Sequence, residues 1–221
     1  GSVSERKIFN TAFLTDDDGN VLGTYDKTYL LAFGEYMPFG DWFPILYDLS
    51  PNTSRFQSGT HQRPLEFDGV RYGVLICYED VLTDFVRDAM ESEPNVLVNI
   101  TNDAWFGKSR EPYIHLALSV FRAVEQRRFL VRATNTGVSA VIDSGGRILS
   151  PTPVFARANF VEEVAVLEGT TLYQRLGPWL PAVCLITLFV WSRSGLTKLL
   201  YGFTRGWAAR ATKSSKKPAR S

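Results

Sequence analysis

The stretch Gly73-Val-Leu-Ile-Cys77-Tyr-Glu-Asp80 says most about the fold and chemistry of this chain. Val74, Leu75 and Ile76 form an uninterrupted apolar run, which predicts a buried strand. Cys77 ends the run, and two carboxylates follow it closely. Most free cysteines serve as small buried hydrophobic residues, but the thiol is also the uncharged side chain that most readily becomes a nucleophile. The stretch therefore predicts a strand that ends in either a packing residue or a nucleophile.

Turn-forming residues divide the rest of the body into short strands and two helices. The predicted hairpin turns are Asp16–Asn20, Asp68–Gly69 and Ser144–Gly146. The predicted strands are Phe9–Leu14, Val21–Tyr25, Leu65–Phe67, Val70–Ile76, Asn95–Asn99, Ser139–Asp143, Arg147–Leu149 and Phe160–Leu167, and the predicted helices are Leu82–Glu91 and Pro112–Arg128. Strands that alternate with helices predict an α/β fold in which helices cover a sheet.

Charge is distributed unevenly along the chain. There are 24 basic and 23 acidic residues, yet residues 176–221 hold eight basic residues and no acidic one. Residues 176–192 are uncharged, with Trp179 and Trp191 near the two ends, as is typical of a transmembrane helix. We therefore expect a transmembrane helix at 176–192 and a basic cytoplasmic tail at 193–221. A buried core helix is the alternative.

The remaining features indicate which partners and cofactors to expect. Leu196–Trp207 has apolar residues at helical spacing among basic ones and predicts an interfacial amphipathic segment. No recognition element for nucleic acid accompanies the basic tail, so no nucleic-acid partner is expected. His61 and His115 lack spaced ligand partners, and we expect no metal and no other cofactor. Cys77 and Cys184 lie in such different contexts that a disulfide is not expected.

Three loops that follow predicted strands carry the polar residues of one candidate site. Lys27 closes a strand, and Glu35 lies in the Gly/Pro-containing loop after it. The second loop begins with Cys77–Glu79, and the third is Asn99–Gly107. Ligands of layered α/β folds gather at the carboxyl ends of strands. We therefore expect the Cys77 sulfur, the Lys27 ammonium and the Glu35 carboxylate to converge on one pocket.

Five motifs in this order resemble those of the carbon–nitrogen hydrolase (nitrilase) superfamily. They are Asp26-Lys27, Phe33-Gly34-Glu35, Cys77-Tyr78-Glu79, Thr101–Gly107 and Arg132–Gly137. Within that superfamily, the sequence of Asn102–Gly107 and the predicted membrane helix resemble those of the apolipoprotein N-acyltransferase family. The resemblance runs from about Phe9 to Trp191, which is most of the chain.

The resemblance implies a four-layer α-β-β-α sandwich and a catalytic Glu–Lys–Cys triad. Lys27 matches the family's lysine, Cys77 its nucleophile and Glu35 a second glutamate of the site, while Tyr78 and Glu79 match the supporting pair after the nucleophile. The family's general-base glutamate lies several tens of residues before the lysine, whereas 26 residues precede Lys27 here. We therefore expect residues 1–175 to be the C-terminal part of the catalytic domain, an incomplete sandwich whose N-terminal half is missing.

The resemblance further implies an enzyme of the bacterial inner membrane, with its catalytic body on the periplasmic face. Cys77 would take an acyl chain from a phospholipid as a thioester and pass it to the N-terminal amine of a diacylglyceryl-cysteine lipoprotein. One alternative is a carbon–nitrogen hydrolase that acts on a small amide or nitrile. Another is a non-catalytic, membrane-tethered remnant that lacks the general-base glutamate.

Overall fold

The computed structural model describes residues 7–193 of the chain. The strands are β1 (Thr11–Thr15), β2 (Val21–Asp26), β3 (Leu65–Phe67), β4 (Val70–Ile76), β5 (Val96–Thr101), β6 (Phe129–Thr134), β7 (Ala140–Ile142) and β8 (Ile148–Leu149). The α-helices are α1 (Ile45–Leu49), α2 (Thr83–Ala89), α3 (Glu111–Gln126) and α4 (Leu172–Leu176), and short 3-10 helices cover Cys77–Val81, Met90–Ser92 and Asp103–Phe106. The predicted hairpins and both predicted helices are confirmed, with ends that shift by a few residues.

Six strands form one mixed sheet in the order β3-β4-β5-β6-β7-β8, and β1 and β2 form a separate antiparallel hairpin. The three central strands, β4, β5 and β6, run parallel to one another. Central parallel strands are covered on both faces, and for this reason their sequences read as apolar runs rather than as a strict alternation. Their carboxyl ends therefore lie at one edge of the sheet, where the chain enters the loops that carry the polar residues.

One face of the six-stranded sheet packs against α2 and α3. Leu75, Leu97 and Leu130 come from the three central strands and are fully buried in one cluster. Val86 of α2 and Ala123 of α3 belong to the same cluster and are also fully buried. Burial of a leucine side chain contributes about 1.5–3 kcal/mol. This layer contact is therefore a principal source of the stability of the fold.

The opposite face packs against the β1–β2 hairpin. Ala12 and Tyr25 of the hairpin form a buried cluster with Leu65 of β3 and with Val74 and Ile76 of β4. The two helices, the six-stranded sheet and the hairpin give the layer order α-β-β. The α/β, nitrilase-like part of the predicted fold is confirmed by this order.

The predicted strand Phe160–Leu167 is wrong. Among the described strands none pairs with this segment, and Val161 is 97% exposed. Its three valines and its flanking apolar residues are typical of a strand. A strand also needs a neighbour to pair its backbone N–H and C=O groups, and a sequence pattern does not specify that neighbour.

The predicted transmembrane helix at 176–192 is also wrong. Within residues 7–193 no helix is both long enough and apolar enough to cross a bilayer. The helical pattern breaks at Gly177, which has a φ of 62°, and the described helical residues after it are 179–193. The chain divides after Gly177 into two units, 1–177 and 178–221, and the predicted amphipathic segment and the tail from residue 194 onward lie outside the described residues.

We predict that Leu97→Ala lowers the free energy of unfolding by about 2–5 kcal/mol, because it leaves a cavity in the cluster between the sheet and the helices. Chemical denaturation followed by circular dichroism measures this change. Ile100→Ala on the same strand is the matched control, since Ile100 is 44% exposed and the variant should lose less than about 1 kcal/mol. Equal losses in the two variants would contradict the assigned core.

Candidate active site

Cys77 lies at a sharp turn between β4 and the 3-10 helix Cys77–Val81. Its φ is +55°, in the left-handed region that residues other than glycine rarely adopt. Such a conformation costs about 1–3 kcal/mol and persists only where the surrounding structure holds it. The side chain is half-buried and packs against the cluster between β4 and the hairpin. We call residues Cys77–Val81 the elbow.

Glu79 joins the elbow to the loop that follows β2. Its side chain is fully buried, and one carboxylate oxygen accepts the Ile76 N–H at 2.7 Å. The other oxygen accepts the N–H groups of Thr28 and Tyr29, each at 2.9 Å. The Tyr25 hydroxyl donates to both oxygens, at 3.1 and 3.0 Å. The Glu79 carboxylate therefore connects the start of the loop after β2 to Ile76, the residue that precedes Cys77.

The environment of Glu79 alters two ionisation equilibria. Burial raises the pKa of Glu79, and the hydrogen bonds from the N–H groups of Tyr29, Ile76 and Thr28 oppose that rise by stabilising the carboxylate. Burial, and then the charge of Glu79, raise the pKa of Tyr25. The Tyr25 phenol accordingly keeps its proton at neutral pH and donates a hydrogen bond to the carboxylate.

Lys27 and Glu35 form a close ion pair in the same loop. The Lys27 ammonium lies 2.6 Å from Glu35 Oε2, and the Lys27 side chain is only 1% exposed. Glu35 Oε2 also accepts the Leu31 N–H at 2.8 Å, and Oε1 accepts a hydrogen bond from the Asn10 amide at 3.3 Å. A buried ammonium without a counter-charge would be strongly unfavourable. Glu35 therefore allows Lys27 to remain charged inside the protein and fixes its position.

A second polar cluster lies on the helix side of the elbow. Asp80 accepts hydrogen bonds from His115 Nε2 at 2.9 Å and from the Ser119 hydroxyl at 2.5 Å. Asp103 accepts one from His115 Nδ1 at 2.9 Å. Arg132 is fully buried and donates to Asp80 at 2.9 Å and to Asp103 at 3.2 Å. Two buried carboxylates are thus matched by two buried cationic groups.

His115 needs both of its ring protons to satisfy this cluster. A carboxylate can only accept hydrogen bonds, so the two ring nitrogens that face Asp80 and Asp103 must both donate. Burial lowers the pKa of His115, but the hydrogen bonds to Asp103 and Asp80 outweigh that effect and raise the pKa to about 8. Burial raises the pKa of Asp103, yet the His115 hydrogen bond and the Arg132 charge hold it below its usual range.

Close packing accompanies the charge matching around Asp103. A Cβ atom on Gly137 would overlap the Asp103 carboxylate, so no residue other than glycine fits there without displacing it. Asp103 opens the 3-10 helix after β5, and Asn102 caps that helix by accepting the Ala104 N–H at 3.0 Å. The loop after β5 is therefore held by its own cap and by the cluster.

The structure brings some of the predicted site residues into direct contact. Lys27 and Glu35 touch, and Glu79 links their loop to the strand that ends at Cys77. Tyr78 lies beside Cys77 on the elbow and is partly exposed. Within residues 7–193 no group of His, Cys, Asp or Glu side chains is arranged to hold a metal ion.

The cluster around Asp80 and Arg132 was not predicted from the sequence. The sequence signal that could have revealed this cluster is Arg132, which shares a strand face with Leu130 and Thr134 inside an apolar stretch. A charged residue on the buried face of a strand needs a counter-charge. The sequence does not show that Asp80 and Asp103, which come from two other loops, supply it.

Comparisons with known proteins agree with this architecture. The sequence profile of the carbon–nitrogen hydrolase family matches residues 1–165. An apolipoprotein N-acyltransferase of Geobacter metallireducens is 42% identical over 171 residues, which cover 77% of this chain and 33% of that protein. An apolipoprotein N-acyltransferase of Bdellovibrio bacteriovorus is 41% identical over 191 residues, which cover 83% of this chain and 35% of that protein. The chain thus spans about a third of the length of these relatives.

A solved structure provides a separate comparison of the fold. A carbon–nitrogen hydrolase from Helicobacter pylori G27 superposes with a TM-score of 0.50, covering 69% of this chain and 55% of that chain, at 15% sequence identity. At that identity the likeness concerns the fold alone. It agrees with the layer order found here.

We predict that the stabilising effect of His115 is fully present below about pH 6.5 and is lost as the pH rises through about 8. The folded pKa lies above the unfolded value of about 6.5, so the folded state holds the proton more tightly, and the loss amounts to about 2 kcal/mol. Urea unfolding between pH 6 and pH 9 measures it. His115→Gln should remove this contribution, whereas His61→Gln, on an exposed residue, should not. An identical pH dependence in wild type and His115→Gln would contradict the assignment.

Proposed function

The chain belongs to the carbon–nitrogen hydrolase family, and from that premise we propose that residues 1–175 carry the nucleophile of a membrane-lipid N-acyltransferase. The proposed reaction moves an acyl chain from a phospholipid to the N-terminal amine of a diacylglyceryl-cysteine lipoprotein. The relatives named apolipoprotein N-acyltransferase support the reaction class. Because both proposed substrates are lipids, the reaction takes place at a membrane surface.

The observation that carries the proposal is the buried Lys27–Glu35 pair and its link to the elbow. Lys27 is held as an ammonium at 2.6 Å from Glu35, and Glu79 binds both the Thr28 N–H next to Lys27 and the Ile76 N–H next to Cys77. In the proposed site Cys77 is the nucleophile and Lys27 stabilises negative charge on the reacting acyl group. Glu35 orients Lys27, and Tyr78 and Glu79 support the elbow.

Two transfers at a carbonyl carbon make up the proposed reaction. In the first, the Cys77 sulfur attacks the phospholipid ester, a carbon–sulfur bond forms, the ester carbon–oxygen bond breaks, and the thiol proton ends on the released alcohol. In the second, the lipoprotein amine attacks the thioester, a carbon–nitrogen bond forms, the carbon–sulfur bond breaks, and an amine proton returns to the thiolate. Each step passes through an oxyanion, which a nearby ammonium and a backbone N–H group stabilise.

Exposed apolar side chains in the segment that follows Glu35 favour a lipid acyl donor over a small amide. The segment that follows Glu35 exposes large apolar side chains. They are Phe39, Trp42, Phe43, Ile45 and Leu49, each more than half exposed. Contiguous exposed apolar residues mark surfaces that bind other apolar groups. A small soluble amide or nitrile has no use for such a surface, whereas a phospholipid chain does.

We predict that Cys77→Ala abolishes the acyl-thioester that forms when the full-length protein is incubated with a radiolabelled phospholipid. The alanine has no sulfur to attack the ester, so the labelled, thiol-sensitive adduct should fall to background in a gel assay. Cys184→Ala is the matched control, because Cys184 is the other cysteine of the chain and should leave the label unchanged.

Three outcomes of this assay distinguish the candidate functions. A label retained in Cys77→Ala would refute the nucleophile assignment. Labelling of the wild-type protein by a small amide or nitrile, but not by phospholipid, would favour the soluble-substrate hydrolase. No adduct on Cys77 with either substrate would favour the non-catalytic remnant.

A further inference from the structure

One of the residues that bind the elbow is Asn99, and no catalytic role explains its presence there. Asn99 lies on β5 and is fully buried. Its side-chain nitrogen donates to the backbone oxygens of Leu75 and Cys77, each at 3.2 Å. A side-chain amide that binds the carbonyl of a strained residue fixes the orientation of that peptide group.

Arg132 holds the Asn99 amide in the orientation required for this contact. Its guanidinium donates to Asn99 Oδ1 at 2.6 Å, so the oxygen of the amide faces Arg132 and the nitrogen faces Cys77. Asp80 and Asp103 fix Arg132 in turn, at 2.9 and 3.2 Å. An unbroken line of contacts therefore runs from two buried carboxylates to the carbonyl of Cys77.

The geometry of the peptide bond links this contact to the direction of the Tyr78 N–H. The Cys77 carbonyl and the Tyr78 N–H belong to one planar unit, and in a trans peptide they point in opposite directions. A hydrogen bond that draws the carbonyl toward Asn99 therefore directs the Tyr78 N–H to the other side of the elbow. A backbone N–H next to a nucleophile is a natural donor to the oxyanion that forms during acyl transfer.

We infer that Asn99, oriented by Arg132, is a positioning residue that aims the Tyr78 N–H at the oxyanion formed when Cys77 is acylated. The inference rests on the proposed nucleophile, because it assigns an oxyanion donor to the reaction of that thiol. The positioning role predicts different effects on the acylation and on the alkylation of Cys77, which a purely structural role does not. Acylation passes through an oxyanion and depends on Asn99, whereas alkylation of the same sulfur forms no oxyanion and does not.

The test compares the two reactions in the full-length protein carrying Asn99→Asp. The aspartate retains the shape of the side chain and an acceptor for Arg132 but cannot donate to Cys77. We expect the rate of acylation of Cys77 by p-nitrophenyl acetate to fall about 100-fold or more, mainly in kcat. The rate of alkylation of Cys77 by iodoacetamide, read by peptide mass spectrometry, should change less than about threefold.

Matched variants separate this effect from a general loss of stability. Asn95→Asp changes the other buried asparagine flanking the same strand, whose oxygen accepts the Arg71 N–H, and should leave both rates unchanged. Arg132→Lys removes the fork that orients Asn99 and should reproduce the selective loss if Asn99→Asp does not fold. Arg128→Lys is its control, because Arg128 is a buried arginine just before β6 whose partners are the carbonyls of Pro94, Gln126, Arg127 and Gly169.

Each outcome bears on a separate claim. A parallel fall of acylation and alkylation in Asn99→Asp, or no fall in either, would overturn the positioning role. Absence of any acylation of wild-type Cys77 by the activated ester would also overturn it. If the ester acylates Cys77 and phospholipid does not, the positioning role stands and the proposed lipid substrate fails.

Discussion

Burial of two consecutive carboxylates, Glu79 and Asp80, is the constraint on which the candidate site depends. Each is fully buried, and neither could remain charged in an apolar interior without hydrogen-bond donors or counter-charges around it. Glu79 is satisfied by the loop after β2, and Asp80 is satisfied by α3 and β6. The elbow that carries both residues is therefore bound on two sides, by the loop after β2 and by α3 and β6, and it holds Cys77 in a left-handed conformation.

The electrostatic arrangement explains why the loops at this edge of the sheet are ordered. Lys27 and Glu35 neutralise one another on the hairpin side, while His115 and Arg132 balance Asp80 and Asp103 on the helix side. Removal of any one member would leave a buried charge without its partner, which costs more than the pair contributes. The parallel strands bring the loops to one edge, and the charge pairs select one arrangement of them.

Local sequence signals were sufficient for the parts of the fold in which the residues of one segment decide its state. Apolar runs bounded by turn residues located β4 and β5, the Asp68–Gly69 turn located a hairpin, and Pro112 marked the start of α3. The same reasoning was wrong for Phe160–Leu167 and for the membrane helix. In the first case the pairing partner decides, and in the second the uncharged composition of 176–192 did not reveal that the chain leaves the helical conformation at Gly177.

The chain's own sequence determined the α/β class and the loops that carry Lys27, Glu35 and Cys77, because hydrophobic periodicity and turn residues act over a few positions. The motifs also pointed to the carbon–nitrogen hydrolase family. Only the tertiary structure decided that Lys27 is buried against Glu35, that Glu79 binds residues on both β2 and β4, and that Arg132 reaches Asn99. Apart from the Ile76–Glu79 contact, these contacts join residues 8 to 54 positions apart, and a buried charge acquires its partners only when packing brings distant loops to the same edge of the sheet.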